Sequence, residues 1–447
     1  MNERIEHTSN LLDWLYRDNE AEKIFSIEST FHTWVEVEIA LAEAHFEKGI
    51  ITRESLAAIK ELNNLILPDL ASFQASTRNV GYPIIGLLNY LNDQLPQEHR
   101  GVLHVGATTQ DIMDTALVLQ VSLASRRVLA LVEIIGDALA ELVKDHAVTL
   151  MPGRTHAQQA VPTTFGLKCA VYLAEISRHR IRLERASREA ACVSLYGASG
   201  TSAAMGIYEL EIRKIVSQKL GLSNEFIPWH VSRDRFIDLT SQCANLCVTL
   251  VRLSREIIDL SRSEIDEVFE PGGDYKGASS TMPQKRNPVI SEAIIGLGLE
   301  AIGQAQMMFR AGEVGHERAA GEWQLEWKAL PEVLIDSAAT ARLAGELLQG
   351  LGVNVERMKA NVEINNGAIM AEAYMIELAK VIGRERAHEL VYEASKASAA
   401  RGVPLHESLL TLDPSVRGHF AHWPMDPSLY LGNAEAVCAH ALQQWKA

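Results

Sequence analysis

The sequence lacks the features of a disulfide-bonded or membrane-spanning protein. It has five cysteines, an odd number, and no Cys-x-x-Cys pair, which argues against a disulfide framework. Cys243 and Cys247 lie four residues apart in a helical pattern, so we interpret them as small, buried apolar residues. No uncharged apolar run reaches about 18 residues, and the polar opening MNERIEHTSNLLDW is unlike a secretory signal. We therefore expect a cytosolic (cytoplasmic) protein without a membrane partner.

Basic charge is also scarce. The chain carries 42 lysines and arginines against 57 aspartates and glutamates, which gives a net charge of −15. Nucleic acids and anionic membranes require a net basic face, so this balance disfavours both as partners. A small anionic substrate is still compatible with it, because one local pocket can be basic inside an acidic protein.

Strand-like alternation is rare, whereas long helical patterns are frequent. Met113 to Ala147 contains no proline and one glycine, and its apolar residues recur with a helical period. Trp229 to Glu270 contains neither residue type, and a third helical segment runs from Pro288, a residue suited to a helix start, towards Gly312. The sequence therefore predicts an all-α fold.

Apolar residues on more than one face of these rods predict an elongated bundle that completes its core by oligomerising. Ile294, Ile295 and Leu297 illustrate this distribution in the third segment. Turn-rich breaks divide the chain into three predicted domains. They are an N-terminal helical domain (1–104), a central long-helix bundle (105–350) and a C-terminal helical domain (351–447).

Three polar segments interrupt the helical pattern. They are HVGATTQDIMDTA (104–116), MPGRTHAQQAVPTTFG (151–166) and GASSTMPQKRNP (277–288). Each lies beside the end of a long helix and is rich in hydroxyl and amide groups. Small residues let a ligand approach the backbone, and amide groups at helix starts favour anions.

Taken one at a time, these segments have simple structural explanations. Thr108, Thr109 and Gln110 precede a helix with Asp111 in its first turn, which is typical of helix capping. A single histidine in a loop, such as His156, is more often structural than catalytic. The hydroxyl and basic residues of the third segment could belong to a solvated turn.

Taken together, the three segments resemble the aspartase/fumarase superfamily. The pattern Ser-Ser-x-Met-Pro-x-Lys-x-Asn is similar to its signature, and the other two segments resemble its other conserved regions in the right order. The resemblance implies an elongated three-domain helical fold, a small dicarboxylate substrate and no cofactor or metal. It also implies a homotetramer in which each active site takes residues from three subunits. We interpret His419 and His422 as a surface pair rather than a zinc site.

The resemblance also assigns roles to individual residues. Ser279 would be the base that removes a proton from carbon, and His156, oriented by Glu292, would protonate the leaving group. The residues expected to bind the substrate are Thr108, Thr109, Gln110, Lys285, Asn287, Arg318, Arg235, Ser280 and Asn79. For Arg318 and Arg235, a structural ion pair is the alternative interpretation.

The branch of the superfamily is indicated by further segments. NVGYP (79–83), WHVSRDR (229–235) and YLGN (430–433) resemble the bacterial 3-carboxymuconate cycloisomerases. Those enzymes, however, carry Trp at the position of His156 and a small residue at that of Glu292, whereas the eliminating lyases carry His and Glu. Adenylosuccinate lyases usually have His-Asp-Val where this chain has Asn79-Val80-Gly81.

These observations lead to one functional prediction with three alternatives. We expect a lyase that catalyses anti β-elimination from an N-substituted aspartate, or another 2-substituted succinate, to give fumarate. The first alternative is a 3-carboxy-cis,cis-muconate cycloisomerase and the second an adenylosuccinate lyase. The third is a non-catalytic structural protein on the same scaffold, which would not need all of the residues assigned above.

Overall fold

The computed structural model describes residues 10–272, 277–278, 281–318 and 321–446, apart from the side chains of Ser72 and Ser76. Its helices are α1 (Leu11–Tyr16), α2 (Asn19–Ile24), α3 (Ile27–Glu47), α4 (Arg53–Glu61), α5 (Leu70–Val80), α6 (Pro83–Gln94), α7 (Thr109–Asp145), α8 (Phe165–Ala190), α9 (Glu209–Leu220), α10 (Asp234–Leu260), α11 (Val289–Ala311), α12 (Glu322–Gln349), α13 (Val355–Val362), α14 (Ala371–Ile382), α15 (Arg384–Arg401), α16 (Leu405–Leu412) and α17 (Ala434–Lys446). Its strands are β1 (Leu150–Thr155), β2 (Gln158–Thr164), β3 (Val268–Phe269) and β4 (Gly352–Val353).

The chain forms two compact units. Unit 1 consists of the described residues among Met1–Leu131, His179–Leu250 and Ala293–Arg342. Unit 2 consists of those among Val132–Arg178, Val251–Glu292 and Leu343–Ala447. The division into domains at residues 104 and 350 stays a prediction.

The long helices confirm the predicted fold class. The first predicted segment is α7, with 37 residues, and the third is α11, which begins directly after Pro288. The second prediction was too long at both ends, because α10 covers only Asp234–Leu260 and is followed by β3. The absence of proline and glycine permits a helix there but does not define where it begins and ends.

The second polar segment is a β-hairpin, which the helical interpretation of the sequence missed. β1 and β2 pair antiparallel, with Pro152 opposite Pro162 and an irregularity next to Gly153. Proline cannot donate a hydrogen bond to a neighbouring strand, so the two prolines concealed the strand pattern. They are tolerated here because they lie opposite each other at an irregular position of a two-stranded sheet.

The core of unit 1 is built on α3. Its start is capped by Ser26, whose hydroxyl accepts a hydrogen bond from the Ser29 amide at 3.1 Å. Apolar side chains of α3, α6 and the start of α7 form one buried cluster, which includes Phe31, Leu87 and Ile112. Burial of side chains of this size contributes roughly 1.5–3 kcal/mol each, so this cluster fixes the base on which α7 begins.

The core of unit 2 lies among α14, α15 and α16, around Leu378, Leu390 and Leu405. The single glycine of the first predicted helix, Gly136, also has its explanation in this unit. A Cβ atom there would lie 2.1 Å from the ring of Trp445, which donates a hydrogen bond to Asp137 at 2.8 Å. Only glycine leaves room for this docking of α17 on α7.

The five cysteines are free thiols and all are buried. The predicted burial of Cys243 and Cys247 is therefore confirmed, and burial raises the pKa of the Cys247 thiol to about 12. None of the described helices combines the length and apolar character that a bilayer-spanning segment requires.

A buried carboxyl group in α12 sets a pH dependence of stability. Asp336 is 1 % exposed, and neither of its oxygens has a hydrogen-bond partner among the described residues. Burial, reinforced by the carboxylates of Glu300, Glu332 and Asp13 and opposed by Arg17, raises its pKa from 3.8 to about 8. The folded protein therefore holds a proton there that the unfolded chain releases near pH 4.

Replacing Asp336 by asparagine should remove this dependence. Between about pH 4 and pH 8 the folded state keeps the proton and the unfolded state loses it, so the contribution of Asp336 to the free energy of unfolding falls as pH rises, by about 1.4 kcal/mol per unit. Asp336→Asn should therefore gain stability relative to the wild type as pH rises through this window. Urea unfolding at pH 5.5 and 8.5 measures this. Asp93→Asn, at a side chain that is 75 % exposed, is the control. An equal difference between Asp336→Asn and wild type at both pH values would contradict the assignment.

Candidate active site

The first polar segment is organised by the fully buried carboxylate of Asp111 in unit 1. It accepts hydrogen bonds from the backbone amides of Thr108, Tyr196 and Gly197, each at 2.9 Å. Nε2 of His230 lies 2.7 Å from Oδ1 of Asp111, the oxygen that also accepts from the Tyr196 amide. The predicted capping role therefore belongs to the side chain of Asp111, which accepts from Thr108, and the threonine hydroxyl is left for another partner.

That partner is Arg318. Its Nη1 lies 3.4 Å from the Thr108 hydroxyl, its Nε donates to Oε1 of Gln110 at 2.9 Å, and its Nη2 donates to the Ala198 carbonyl at 3.1 Å. The structure thus brings together three residues that were predicted separately as substrate contacts. All three acceptors are neutral oxygens, so these contacts do not neutralise the charge of the guanidinium group.

The orientation of the Gln110 side chain follows from its neighbours. Gln110 is buried, and its amide nitrogen donates to Oδ2 of Asp114 at 3.0 Å and to the His230 carbonyl at 2.9 Å. Both acceptors require the NH2 group, so the carbonyl oxygen must face Arg318. Gln110 therefore acts as a fixed connection between the buried polar network and the guanidinium group.

The buried polar network also contains an arginine that the sequence interpretation missed. Arg233 is 3 % exposed; its Nη1 donates to Asp114 at 2.8 Å and its Nε to Glu326 at 2.8 Å. Burial by itself would lower the pKa of Arg233, but the two carboxylates raise it above its ordinary value. The cation is thus held in place by two buried anions. Arg233 lies in the segment WHVSRDR, two positions before Arg235, which was the arginine predicted to bind the substrate.

Arg235, the selected residue, has a different environment. It is partly exposed and donates to Oε2 of Glu225 at 3.1 Å. This is the structural ion pair that was the alternative interpretation. Asn79 is exposed near the end of α5, and Thr109 is the first residue of α7.

A second missed group is a histidine–carboxylate pair that joins the first polar segment to a buried acid of α3. Nδ1 of His104 lies 2.6 Å from Oε1 of Glu38, which is 1 % exposed. Burial would lower the pKa of His104, but the hydrogen bond and charge of Glu38 outweigh it, so the pKa is raised. Only tertiary structure could reveal this pair, since the two residues are 66 positions apart.

The remaining predicted residues belong to unit 2. His156 and Ala157 form the exposed turn of the hairpin, with φ values of 50° and 61°. These left-handed conformations suit a two-residue hairpin turn but are uncommon for residues other than glycine. Arg154 anchors the hairpin through hydrogen bonds of 2.8 and 2.6 Å to the buried carboxylate of Glu267.

The third polar segment has a closed stem. The Asn287 amide donates to the Gly277 carbonyl at 2.8 Å, and Ala278 and Arg286 form an antiparallel bridge. Gly277 has a φ of 68°, and a Cβ atom there would lie 2.5 Å from the Asn287 carbonyl oxygen, so the stem requires glycine. A cavity of about 260 Å³ adjoins the stem. Lys285 and Glu292 are exposed, whereas Ser279 and Ser280 lie outside the described residues.

Comparison with protein families identifies the chain. The pattern of the family described as "Lyase" matches residues 17–303, and that described as "Adenylosuccinate lyase C-terminus" matches residues 367–441. The chain belongs to the aspartase/fumarase superfamily of lyases. This confirms the resemblance that the three polar segments indicated, and with it that the protein is an enzyme.

The similarity of this superfamily member to known proteins extends over almost the whole chain. It is 34 % identical to the N-acetyl-S-(2-succino)cysteine lyase of Dickeya dadantii, covering 95 % of each protein. It is 35 % identical to the 3-carboxy-cis,cis-muconate cycloisomerase of Pseudomonas aeruginosa, covering 94 % of this chain and 93 % of the relative. The solved structure of the 3-carboxy-cis,cis-muconate lactonizing enzyme from Pseudomonas putida superimposes with a TM-score of 0.91 at 31 % identity, covering 98 % of this chain and 99 % of that one.

In this superfamily member, the two selected arginines should respond differently to substitution. Arg318→Lys removes the planar guanidinium group from a position where its three hydrogen-bond acceptors are neutral, so we expect fumarate affinity to fall by about tenfold. Arg235→Lys keeps a cation beside Glu225 and should leave the affinity within about twofold. Isothermal titration with fumarate compares the two. Equal losses, or a larger loss for Arg235→Lys, would count against Arg318 as the anion contact.

Proposed function

We propose that the protein catalyses anti β-elimination from a 2-substituted succinate, with nitrogen or sulfur as the leaving atom, and releases fumarate. A base removes a proton from C3, the C3–H electron pair becomes the C2=C3 double bond, and the C2–N or C2–S bond breaks. The leaving atom takes the bonding pair and a proton. One observation carries the proposal: His156, in a constrained hairpin turn, and Glu292, at the start of α11, are both retained in a chain that is otherwise cycloisomerase-like.

The C3 proton is only weakly acidic, because the carbanion is stabilised by a single adjacent carboxylate. Ser279 is the proposed base. The extra charge of the aci-carboxylate must be met by preorganised donors, which contribute about 3–4 kcal/mol per well-placed group. Lys285, Asn287 and the hydroxyls of Thr108 and Thr109 are the proposed donors, with Ser280 as a further contact.

The leaving group explains why His156 and Glu292 belong together. An amine cannot leave as an anion and needs a proton, which a histidine supported by a carboxylate can supply. Lactonisation adds a carboxylate that the substrate already carries to a double bond, so it has no leaving group to protonate. The whole-length similarity to N-acetyl-S-(2-succino)cysteine lyase, whose name describes a 2-substituted succinate, supports elimination.

We also propose a homotetramer with active sites shared by three subunits. Large apolar side chains are exposed on several of the long helices, including Ile181 of α8 at 62 % and Phe309 of α11 at 56 %. Such exposure on rigid helices is typical of interfaces between subunits. The cytosolic location predicted from the sequence belongs to this proposal as well.

The second candidate function is lactonisation of 3-carboxy-cis,cis-muconate. The 35 % identity with the Pseudomonas aeruginosa cycloisomerase favours it. An adenylosuccinate lyase is the third candidate, supported by the C-terminal match at residues 367–441.

The substrate class can be tested in the reverse direction. Incubation with fumarate and a panel of amines and thiols should yield N-substituted aspartates or S-substituted 2-thiosuccinates, detected by mass spectrometry. In parallel, 3-carboxymuconate and adenylosuccinate are supplied to the same preparation. Rapid formation of lactone without amine or thiol addition would overturn the proposal in favour of the cycloisomerase.

Ser279→Ala should reduce elimination by about a thousandfold or more, because no other group would take the C3 proton. Its molar mass by light scattering should match that of the wild type, which separates loss of the base from loss of assembly. Activity close to that of the wild type would exclude Ser279 as the base.

His156→Trp, which introduces the residue of the bacterial cycloisomerases, should reduce elimination of an amine by about 10²-fold or more through loss of the general acid. His422→Trp, at another exposed histidine of unit 2, is the matched control and should retain activity. Undiminished elimination by His156→Trp would show that the acid lies elsewhere.

A further inference from the structure

The start of α11 is closed by a carboxylate from a distant part of unit 2. Oε1 of Glu270 accepts hydrogen bonds from the Ser291 amide at 2.8 Å and the Ser291 hydroxyl at 2.6 Å. Its Oε2 accepts from the Ile290 amide at 3.0 Å. Backbone amides at a helix start lack partners within the helix, so Glu270 satisfies two of them and places a negative charge at the positive end of the helix dipole.

The residues directly before α11 do not supply an equivalent side chain. Proline occupies position 288 and has no amide hydrogen, and the Val289 amide bonds to the Asn287 carbonyl at 2.9 Å. The first turn is thus held by the Asn287 carbonyl, which accepts from Val289, and by the Glu270 carboxylate, which accepts from the next two amides. The hydroxyl of Ser291, which is fully buried, makes the contact specific to this register of the helix.

Glu270 is itself mounted on a firmly held segment. Three residues earlier, Glu267 is fully buried and bonds to both terminal nitrogens of Arg154 and, at 2.8 Å, to Asn361. Between the two glutamates, β3 pairs with β4, where a Cβ atom at Gly352 would lie 2.0 Å from the Phe269 ring. These contacts hold the backbone of the segment, so the position of the Glu270 carboxylate is well defined.

Glu292 directly follows Ser291, the residue whose amide and hydroxyl are clamped by the Glu270 carboxylate. Its amide bonds to the Pro288 carbonyl at 3.0 Å, inside the same turn, and its side chain is exposed. Because successive helical residues differ by about 100° around the axis, the clamp at Ser291 sets the direction in which the Glu292 carboxylate leaves the helix. A frayed first turn would lose that direction while leaving the rest of α11 intact.

We propose that Glu270 is a positioning residue that fixes the first turn of α11 and thereby the Glu292 carboxylate. This inference rests on the proposed function, in which Glu292 supports the histidine that protonates the leaving group. Glu270 does not touch the substrate in this account and takes no proton from it.

The test compares Glu270→Gln with a matched cap variant in unit 1. Glutamine keeps the size of the side chain but replaces one acceptor oxygen by an NH2 group, so it cannot accept from the Ile290 amide while its oxygen holds Ser291. Thr52→Ala removes the hydroxyl that accepts from the Ser55 amide at 3.1 Å at the start of α4, a helix without predicted site residues. Hydrogen exchange, kcat and KM are measured for both variants.

Glu270→Gln should speed exchange of the Ile290 and Ser291 amides and lower kcat for an amine leaving group by about tenfold, with KM within about twofold. A thiol leaves more readily without prior protonation, because its ordinary pKa is about 8.5. The loss for a thiol substrate should therefore be under about threefold. Thr52→Ala should alter neither the exchange of α11 nor the ratio of amine to thiol turnover.

Two results would overturn the inference. Unchanged exchange at Ile290 and Ser291 would mean that Glu270 does not hold the first turn. Faster exchange with equal losses for amine and thiol substrates would mean that the clamp has a structural role only. Failure of the proposed function is a separate outcome, because the wild-type protein would then show no elimination. In that case the exchange comparison still tests whether Glu270 holds the first turn of α11.

Discussion

At the start of α7, one buried carboxylate accepts hydrogen bonds from three backbone amides that come from two separate parts of unit 1. Asp111 therefore does more than cap a helix, because Thr108 and the Tyr196–Gly197 backbone are fixed relative to each other through it. One turn later, Asp114 joins Arg233 to Gln110, and Gln110 orients Arg318. The hydrogen-bond geometry around Arg318 depends on these two aspartates, both of which are buried.

The same principle operates in unit 2 with different partners. Glu267 anchors the hairpin through Arg154, and Glu270 holds the start of α11. In both units a long helix begins at a polar segment, and a buried or partly buried acid satisfies amides that the helix itself cannot. Such acids are costly to bury unless their hydrogen bonds are made. The free backbone amides at a helix start supply those hydrogen bonds.

The sequence predicted the long helices and the polar segments well because both depend on local patterns. The 37 residues of α7 repeat one apolar period, and the third segment is bounded by glycine and proline. The hairpin was missed because Pro152 and Pro162 concealed its strands. Arg233 and His104 were missed because their partners are distant in the sequence, and no local pattern separates Arg233 from Arg235. The roles of Ser279 and Lys285 stay predictions from the resemblance.

The hairpin turn at His156 limits which side chains evolution can try at that position. A residue at a φ of 50° tolerates an unbranched Cβ, whereas valine, isoleucine or threonine would be strained whatever their chemistry. Histidine is among the residues enriched in this region, and neither histidine nor tryptophan has a branched Cβ. In the proposed mechanism, one replacement at this position exchanges a proton donor for an aromatic side chain. Under that proposal, the reaction type depends on a side chain whose backbone conformation is set by the two-residue turn.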